Sequence, residues 1–214
     1  MRKFFLKNKS NVKLFELGVH PFADTFISKD DINKKEPLYP LNCLLDKKSG
    51  CIFNEIITPD TKRYNLYDYS YTSSNSNYSK NYWKNYALKF NQKYKKKGKI
   101  LEIGCNDGFL LKDLNKKGFD TYGCDASKFI TNLFKNKKIK VMNYIFNFQN
   151  SKKISRKIGK VDYVIANNVV NHSNNPDNFF KGVRNILNND GYFIFEQPYW
   201  LEMMKTSRID QIYH

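Results

Sequence analysis

The chain has 214 residues and a formal net charge of +17, and this length suffices for one ordinary domain with a small appendage. It contains no run of roughly 18 apolar residues, and its amino-terminal apolar segment is too short for a secretory signal, so we expect a cytoplasmic protein without a membrane partner. The charge would suit a nucleic acid, but lysine is scattered through every segment and greatly outnumbers arginine, so no specific nucleic-acid partner is predicted.

Residues 1–78 are predicted to form a small β-rich domain of short strands and turns. Proline and glycine interrupt short apolar runs there, at Pro21, Pro37, Pro40, Gly50 and Pro59. The four cysteines of the chain, at positions 43, 51, 105 and 124, lack the C-x-x-C spacing of a zinc site and suggest no disulfide framework. We therefore predict reduced cysteines and no bound metal.

The next predicted element is a helix within residues 80–94. Aromatic side chains recur every four residues on one face of this helix, at Tyr82, Tyr86, Phe90 and Tyr94. Ser79 or a neighbouring residue is the predicted N-cap. An aromatic stripe at helical spacing is typical of packing against a core, and we interpret this one in that way.

Beyond residue 98, predicted strands and helices alternate. The strands are KILEIG, DTYGCD, IKVMNY, VDYVIANNV and GYFIFEQ, and helical patterns lie around residues 107–117, 126–137 and 176–188. Each crossover between parallel strands must lie against a face of the sheet, so this alternation predicts a doubly wound α/β domain with a mostly parallel, Rossmann-like sheet. We place this domain at residues 79–214 and expect its ligand site at the carboxyl ends of the strands.

A turn between two glycines follows the strand KILEI, in the sequence EIGCNDG at residues 102–108. Gly104 and Gly108 allow the backbone to turn tightly and to approach a ligand closely. Their spacing matches neither the G-x-G-x-x-G of a dinucleotide site nor the ending of a phosphate loop. Glu102 disfavours phosphate and favours an ammonium or sulfonium, while Asp125 ends the next strand, where ribose hydroxyls are held in such domains. S-adenosylmethionine carries both cations, a ribose and no phosphate.

This pattern resembles the first motif of class I S-adenosylmethionine-dependent methyltransferases, in which an acidic residue precedes a G-x-x-x-G turn. The resemblance implies that the cofactor is S-adenosylmethionine. It also implies a set of cofactor-binding residues, namely Glu102, Gly104, Asn106, Gly108, Asp125 and, at the end of the fourth strand of the domain, Asn167. A Rossmann-like domain without the cofactor remains the alternative interpretation.

Six segments spread over the whole chain extend the resemblance. They are LGVHPFADTFI at 17–27, YPLNCLL at 39–45, YDYSYTSSNS at 67–76, EIGCNDGFLL at 102–111, ANNVVNHSNNPD at 166–177 and RIDQIYH at 208–214. In this order they resemble the sugar C-methyltransferases of deoxysugar and surface-polysaccharide pathways. That family methylates a ring carbon of a nucleotide-linked 4-keto-deoxysugar, which implies such a sugar as the substrate here and requires no metal.

Four catalytic residues follow from this resemblance. His172 matches a family active-site histidine, whose imidazole suits proton shuttling or contact with the keto-sugar. Tyr69 and Tyr71 fall in the tyrosine motif that precedes the cofactor domain, and Tyr213 falls in the IYH motif. Tyrosine is abundant in this chain, so packing is the alternative role for all three phenols. His20 is interpreted as structural.

The chain departs from the family in two places. Family members usually hold a structural zinc with four cysteines of the N-terminal domain, and the corresponding positions here lack thiolates, being near Lys3, Leu6, Asp46 and Ser49. We therefore expect a degenerate zinc-binding domain without zinc. In the family, a Glu-His pair and a further α/β domain follow the IYH motif, so we expect a truncated form that is crippled or inactive as given.

Two other functions stay open at this point. One is a cofactor-binding remnant or scaffold without catalysis. The other is an RNA methyltransferase, which would use the basic charge. The sequence NNVV stands where enzymes that methylate base amino groups carry an Asn-Pro-Pro-Tyr type motif, so base amino-methylation is disfavoured. Neither the sugar nor the oligomeric state is predicted.

Overall fold

The computed structural model describes residues 11–23, 27–55, 71–134 and 138–208. Its strands are β1 (Asn11–His20), β2 (Tyr39–Asp46), β3 (Cys51–Asn54), β4 (Lys99–Ile103), β5 (Asp120–Asp125), β6 (Lys140–Asn143), β7 (Val161–Asn167) and β8 (Leu187–Glu196). Its helices are α1 (Asn77–Lys93), α2 (Phe109–Lys116), α3 (Lys128–Leu133), α4 (Phe148–Ile158), α5 (Pro176–Ile186) and α6 (Trp200–Lys205), with short 3-10 turns at Lys29–Asp31 and Val170–His172. Among these described helices, none is both long and apolar enough to cross a membrane.

The described residues fall into two compact units. One contains residues 11–55 as far as they are described together with 198–208, and the other is Tyr71–Gln197. The boundary expected at residues 78 and 79 stays a prediction about domain organisation.

The smaller unit is built on an antiparallel sheet in the order β1-β2-β3. This confirms the small β-rich domain predicted from the short apolar runs. The β2–β3 hairpin is closed by Asp46, which is fully buried and whose Oδ2 accepts a hydrogen bond of 2.6 Å from Ser49 Oγ. Ser49 Oγ in turn accepts from the Cys51 backbone N–H at 3.2 Å. Asp46 and Ser49 therefore form a hydrogen-bonded turn.

The larger unit is built on a five-stranded parallel sheet in the order β6-β5-β4-β7-β8. The chain runs outward from the central β4 to β5 and β6, and then returns to the other side of β4 for β7 and β8. This order confirms the doubly wound, Rossmann-like fold predicted from the alternation of strands and helices. The strand order reverses beside β4, and in this architecture ligands bind at the carboxyl edge of the sheet at that point.

Successive residues of the central strand face opposite layers of helices. Leu101 of β4 belongs to a buried cluster with Ile154 of α4 and Ile186 of α5. Its neighbour Ile100 belongs to a second buried cluster with Phe90 of α1. Because side chains alternate along a strand, a strand that is covered on both faces must be apolar at nearly every position, as KILEI is.

Three elements differ in detail from the sequence-based predictions. The helix α4 was not predicted, although Ser151, Ile154 and Ile158 place a narrow buried stripe along it. The helix α1 begins earlier than expected, because Ser76 is its N-cap and accepts a hydrogen bond of 3.1 Å from the Ser79 backbone N–H. The last strand was predicted to begin at Gly191, but it begins at Leu187, directly after the end of α5.

Candidate functional site

The glycine turn, residues 104–108, leaves the end of β4 in a conformation that requires its glycines. Gly104 and Gly108 both have φ near +68°, in the left-handed region. A Cβ on Gly104 would lie 2.4 Å from Val169 Cγ2, and a Cβ on Gly108 would lie 1.7 Å from Phe134 Cε2. The Gly104 backbone N–H also donates to the Cys124 carbonyl at 2.7 Å. The turn is therefore packed from two sides and tied to β5.

Asp125 ends β5 and faces the glycine turn. Its Oδ2 accepts a hydrogen bond of 2.9 Å from the Asn106 backbone N–H, and its Oδ1 accepts one of 2.9 Å from the Ser127 backbone N–H. Burial raises the pKa of this carboxyl, while the backbone N–H donors oppose that rise. The Ala126 backbone N–H is a third donor to this carboxyl. A carboxylate offers about four acceptor positions, so Asp125 can still accept a hydrogen bond from a ligand's hydroxyl group.

Glu102 is the penultimate residue of β4 and only 6% of its surface is exposed. Its Oε2 is buried and, within the described part of the chain, has no hydrogen-bond partner. Burial raises the pKa of Glu102 well above its ordinary value, and the nearby charges of Asp125 and Asp107 raise it further. A cation at this position would supply the missing partner and relieve the cost of the buried charge.

Asn167 ends β7, beside Glu102 at the carboxyl edge. Its Oδ1 is 3.5 Å from the hydroxyl of Tyr86, which donates to it from α1. Its Nδ2 is buried and, among the residues that the structure describes, meets no acceptor. Burial raises the pKa of Tyr86 to about 12, so the phenol keeps its proton and stays a donor. The site therefore combines an unused buried acceptor on Glu102 with an unused buried donor on Asn167.

A second tyrosine of α1 reaches the same edge of the sheet. The Tyr82 hydroxyl donates to Oε2 of Glu196, the last residue of β8, which lies in register with Asn167. Burial, followed by the hydrogen bond and charge of Glu196, raises the pKa of Tyr82. Sequence reasoning assigned Tyr82 and Tyr86 to packing and did not single out Glu196. Their four-residue spacing was visible in the sequence, but nothing there indicated that the hydroxyl ends face the site.

Two side chains of the glycine turn bind the segment that precedes α1. Asn106, which has φ of +49°, accepts hydrogen bonds at Oδ1 from the backbone N–H groups of Ser73 and Asp107, each at 2.8 Å. Its Nδ2 donates to the Tyr71 carbonyl at 2.9 Å. Asp107 Oδ2 accepts from Ser74 N–H at 3.1 Å and from Ser74 Oγ at 2.5 Å. Most of the Asn106 amide is therefore engaged within the protein.

The predicted catalytic residues are only partly covered by the structure. His172 lies in the 3-10 turn directly after β7, and its backbone N–H donates to the Val169 carbonyl at 3.0 Å. This turn places His172 at the carboxyl edge, close in the chain to Asn167. The Tyr71 side chain is 44% exposed. Tyr69 and Tyr213 lie outside the described residues, and the catalytic roles of all four residues stay predictions.

The chain is similar to several known proteins. A family model described as a methyltransferase domain matches residues 77–213. The C-methyltransferase NovU of Streptomyces niveus is 22% identical over 198 residues, which are 92% of this chain and 47% of NovU. The chain thus spans about half the length of this curated relative.

Two solved structures share the fold. The PH0226 protein of Pyrococcus horikoshii OT3 superposes with a TM-score of 0.54 at 22% identity, covering 69% of this chain and 70% of that one. The plantazolicin methyltransferase BpumL, solved with a pentazolic desmethylPZN analogue and S-adenosylhomocysteine (SAH), superposes with a TM-score of 0.51 at 16% identity, covering 71% of this chain and 58% of that one. Together with the parallel sheet and the glycine turn, the match over residues 77–213 shows that the chain belongs to the class I methyltransferase domain family.

Proposed function

We propose that this chain binds S-adenosylmethionine and takes part in the C-methylation of a nucleotide-linked 4-keto-deoxysugar. One observation carries the cofactor half of this proposal. Glu102 Oε2 and Asn167 Nδ2 are buried atoms of opposite polarity that lack partners among the described residues, and both lie at the carboxyl edge beside the glycine turn. The amino-acid end of S-adenosylmethionine has an ammonium for the first and a carboxylate for the second.

The residues of the site fit this cofactor. Glu102 would face the ammonium and the positive region near the sulfonium. Asn167 Nδ2 would donate to the carboxylate, while Asn167 Oδ1 accepts from the Tyr86 hydroxyl. Asp125 can still accept a hydrogen bond from a ribose hydroxyl. Gly104 and Gly108 let the backbone approach the ligand, while the Asn106 backbone holds Asp125 in place. When bound, S-adenosylmethionine supplies an electrophilic methyl group.

The sugar half rests on the ordered motifs of the sequence and on the similarity to NovU, itself a C-methyltransferase. A C–H bond beside a ketone can be deprotonated when a base is positioned and the enolate oxygen meets hydrogen-bond donors. The resulting carbanion would accept the electrophilic methyl group that the bound cofactor would supply, with SAH as the leaving group. His172 is our candidate for moving that proton or contacting the keto group, and Tyr69, Tyr71 and Tyr213 are the candidate donors.

Calorimetric titration with SAH tests the cofactor half. We expect a dissociation constant on the order of micromolar for the unsubstituted chain. Asp125→Asn removes the charge and one acceptor while preserving the side chain's shape, so we expect affinity to fall roughly tenfold to a hundredfold. Asp120→Asn is the matched control, because Asp120 lies at the opposite end of the same strand. Absence of SAH binding by the folded, unsubstituted chain would overturn the proposal.

The sugar half needs a separate assay. The chain spans about half the length of NovU, so for this assay it is joined to the remaining half of NovU. The joined protein is incubated with methyl-labelled S-adenosylmethionine and a nucleotide-linked 4-keto-deoxysugar, and the sugar product is analysed by mass spectrometry and by isotope-resolved NMR. We expect the label on a ring carbon, and a strongly reduced rate for His172→Asn. SAH binding without transfer to this substrate would favour the cofactor-binding remnant or scaffold, whereas label transferred to RNA in a parallel reaction would favour the RNA methyltransferase.

A further inference from the structure

The segment of residues 71–74, which precedes α1, is held on the glycine turn by side chains of that turn. Asn106 contributes one donated and one accepted hydrogen bond to it, with Tyr71 and Ser73 respectively. Asp107 accepts two more, from the backbone and the hydroxyl of Ser74. Hydrogen bonds to an ionised carboxylate are stronger than neutral ones, so the Asp107 contacts are the firmer pair.

Asp107 also connects this segment to the helix that follows the turn. Its Oδ1 accepts a hydrogen bond of 3.2 Å from the Phe109 backbone N–H, the first residue of α2. One carboxylate thus binds the 71–74 segment with one oxygen and the start of α2 with the other. A displacement of the glycine turn that moved Asp107 would change both.

The 71–74 segment leads directly into α1. Ser76 caps this helix, and one and a half to three turns later the helix carries Tyr82 and Tyr86. Their hydroxyls reach Glu196 and Asn167 at the ends of β8 and β7. Hydrogen bonds therefore connect the glycine turn to the 71–74 segment. The segment continues into α1, and hydrogen bonds connect α1 to the carboxyl edge of the sheet.

We propose that Asp107 is a positioning residue that couples cofactor occupancy to the order of the 71–74 segment. This inference rests on the proposed cofactor function. A ligand seated on the glycine turn stabilises the conformation in which Asn106 and Asp107 bind the segment, and a bound segment stabilises the turn that holds the ligand. Linkage makes this effect reciprocal, so the factor by which an ordered segment raises ligand affinity equals the factor by which the ligand favours the ordered segment. The segment contains Tyr71 and leads into α1, so the same contacts hold the Tyr71 backbone and the start of the helix that carries Tyr82 and Tyr86.

Hydrogen–deuterium exchange of peptides covering residues 71–76, measured with and without SAH, tests this coupling. We expect SAH to slow exchange of the Ser73 and Ser74 amides in the unsubstituted chain. Asp107→Asn weakens the acceptor and places an amide donor near Ser74, so exchange should be roughly tenfold faster and SAH protection largely lost. Ser74→Ala removes only the hydroxyl donor and should give a smaller change in the same direction.

The matched control is Asp113→Asn on α2, which removes the same charge from a residue that pairs with Lys116 instead of the segment. It should leave both the exchange and the SAH affinity unchanged. Unchanged exchange of the segment in Asp107→Asn and Ser74→Ala, with full protection by SAH, would overturn the coupling. If the unsubstituted chain fails to bind SAH, the proposed function fails. The exchange of the free variants then still decides whether Asp107 positions the segment.

Discussion

The backbone demands of single residues explain which parts of the candidate site could be predicted from the sequence. Gly104 and Gly108 indicate a tight turn, because only glycine adopts a positive φ without a steric cost. Glu102 and Asp125 then follow from their places at the ends of two successive strands. The engagement of the Asn106 amide by the 71–74 segment could not be predicted, because it depends on contacts between residues far apart in the chain.

Glu102→Gln is expected to change how stability depends on pH. The folded-state pKa of Glu102 is raised, so this carboxyl favours folding when protonated, and that contribution is lost as pH rises through the ordinary value towards the raised one. The variant does not titrate there. Its melting temperature without ligand should therefore exceed that of the unsubstituted chain at about pH 8 and match it at about pH 4.

Thermal melts across this range, together with SAH titrations, provide the measurement. The same variant should bind SAH more weakly at neutral pH, since a neutral amide is a poorer partner for an ammonium than a carboxylate. A melting difference between the two proteins that does not vary with pH would contradict the assignment of a raised pKa to Glu102.

Gly108→Ala is expected to destabilise the chain and to weaken SAH binding together. The added methyl group would overlap the Phe134 ring, and the φ of +68° disfavours any side chain. A cost of about 1–3 kcal/mol is typical of such strain, and denaturant unfolding would measure it. Gly50→Ala is the control, because Gly50 has φ of +70° but its Cβ would meet nothing within 4 Å. An equal cost at both positions would mean that Phe134 does not restrict the turn.

At the scale of elements, the sequence predicted the strands of the larger sheet better than the helix α4. A buried strand is a compact apolar run bounded by turns, and each of these runs is visible in the chain. The helix α4 has few apolar residues and is rich in lysine, but Ser151, Ile154 and Ile158 recur at helical spacing on its buried face, so this helix was readable from the sequence and was overlooked. The packing face of α1 was predicted from the spacing of its aromatic residues. Its contacts to the candidate site were not, because spacing does not show which groups the tyrosine hydroxyls reach.

Phe90 anchors α1 to the sheet, and we expect Phe90→Ala to destabilise the protein strongly. Its ring lies 5.3 Å from the rings of Phe119 and Tyr163, between centroids, and only 5% of the residue is exposed. Truncation should cost about 3–5 kcal/mol, measured by urea unfolding. Leu88→Ala on the same helix is the control, because Leu88 is 46% exposed and should change stability by less than about 0.5 kcal/mol.

At the scale of the whole molecule, the net charge of the chain is positive, whereas the candidate site is rich in acidic side chains. The net charge is +17, yet the carboxyl edge gathers four acidic side chains, Glu102, Asp107, Asp125 and Glu196. The basic residues are spread over the surface of many elements. The net charge therefore predicts weak binding of the chain to polyanions, but it does not identify the ligand of the candidate site.

Titrations at increasing salt should separate these two effects. Binding of a random RNA or of heparin should weaken steeply with salt, because it depends on counterion release. SAH is close to neutral overall and contacts a buried site, so its affinity should change less than about threefold between low and physiological salt. Sequence-selective RNA binding that persists at high salt would contradict the scattered-charge interpretation and revive the RNA methyltransferase hypothesis.

Positions inside the strands of the parallel sheet tolerate substitution less well during evolution than positions at the end of β8. Residues inside strands, such as Leu101 and Val164, are fully buried between two layers of helices, so almost any replacement there is a loss. Glu196 ends a strand and contacts Tyr82, and it can change without opening the core. Substitutions at Glu196 and Tyr82 can therefore alter the carboxyl edge across generations while the fold and the glycine turn are inherited unchanged.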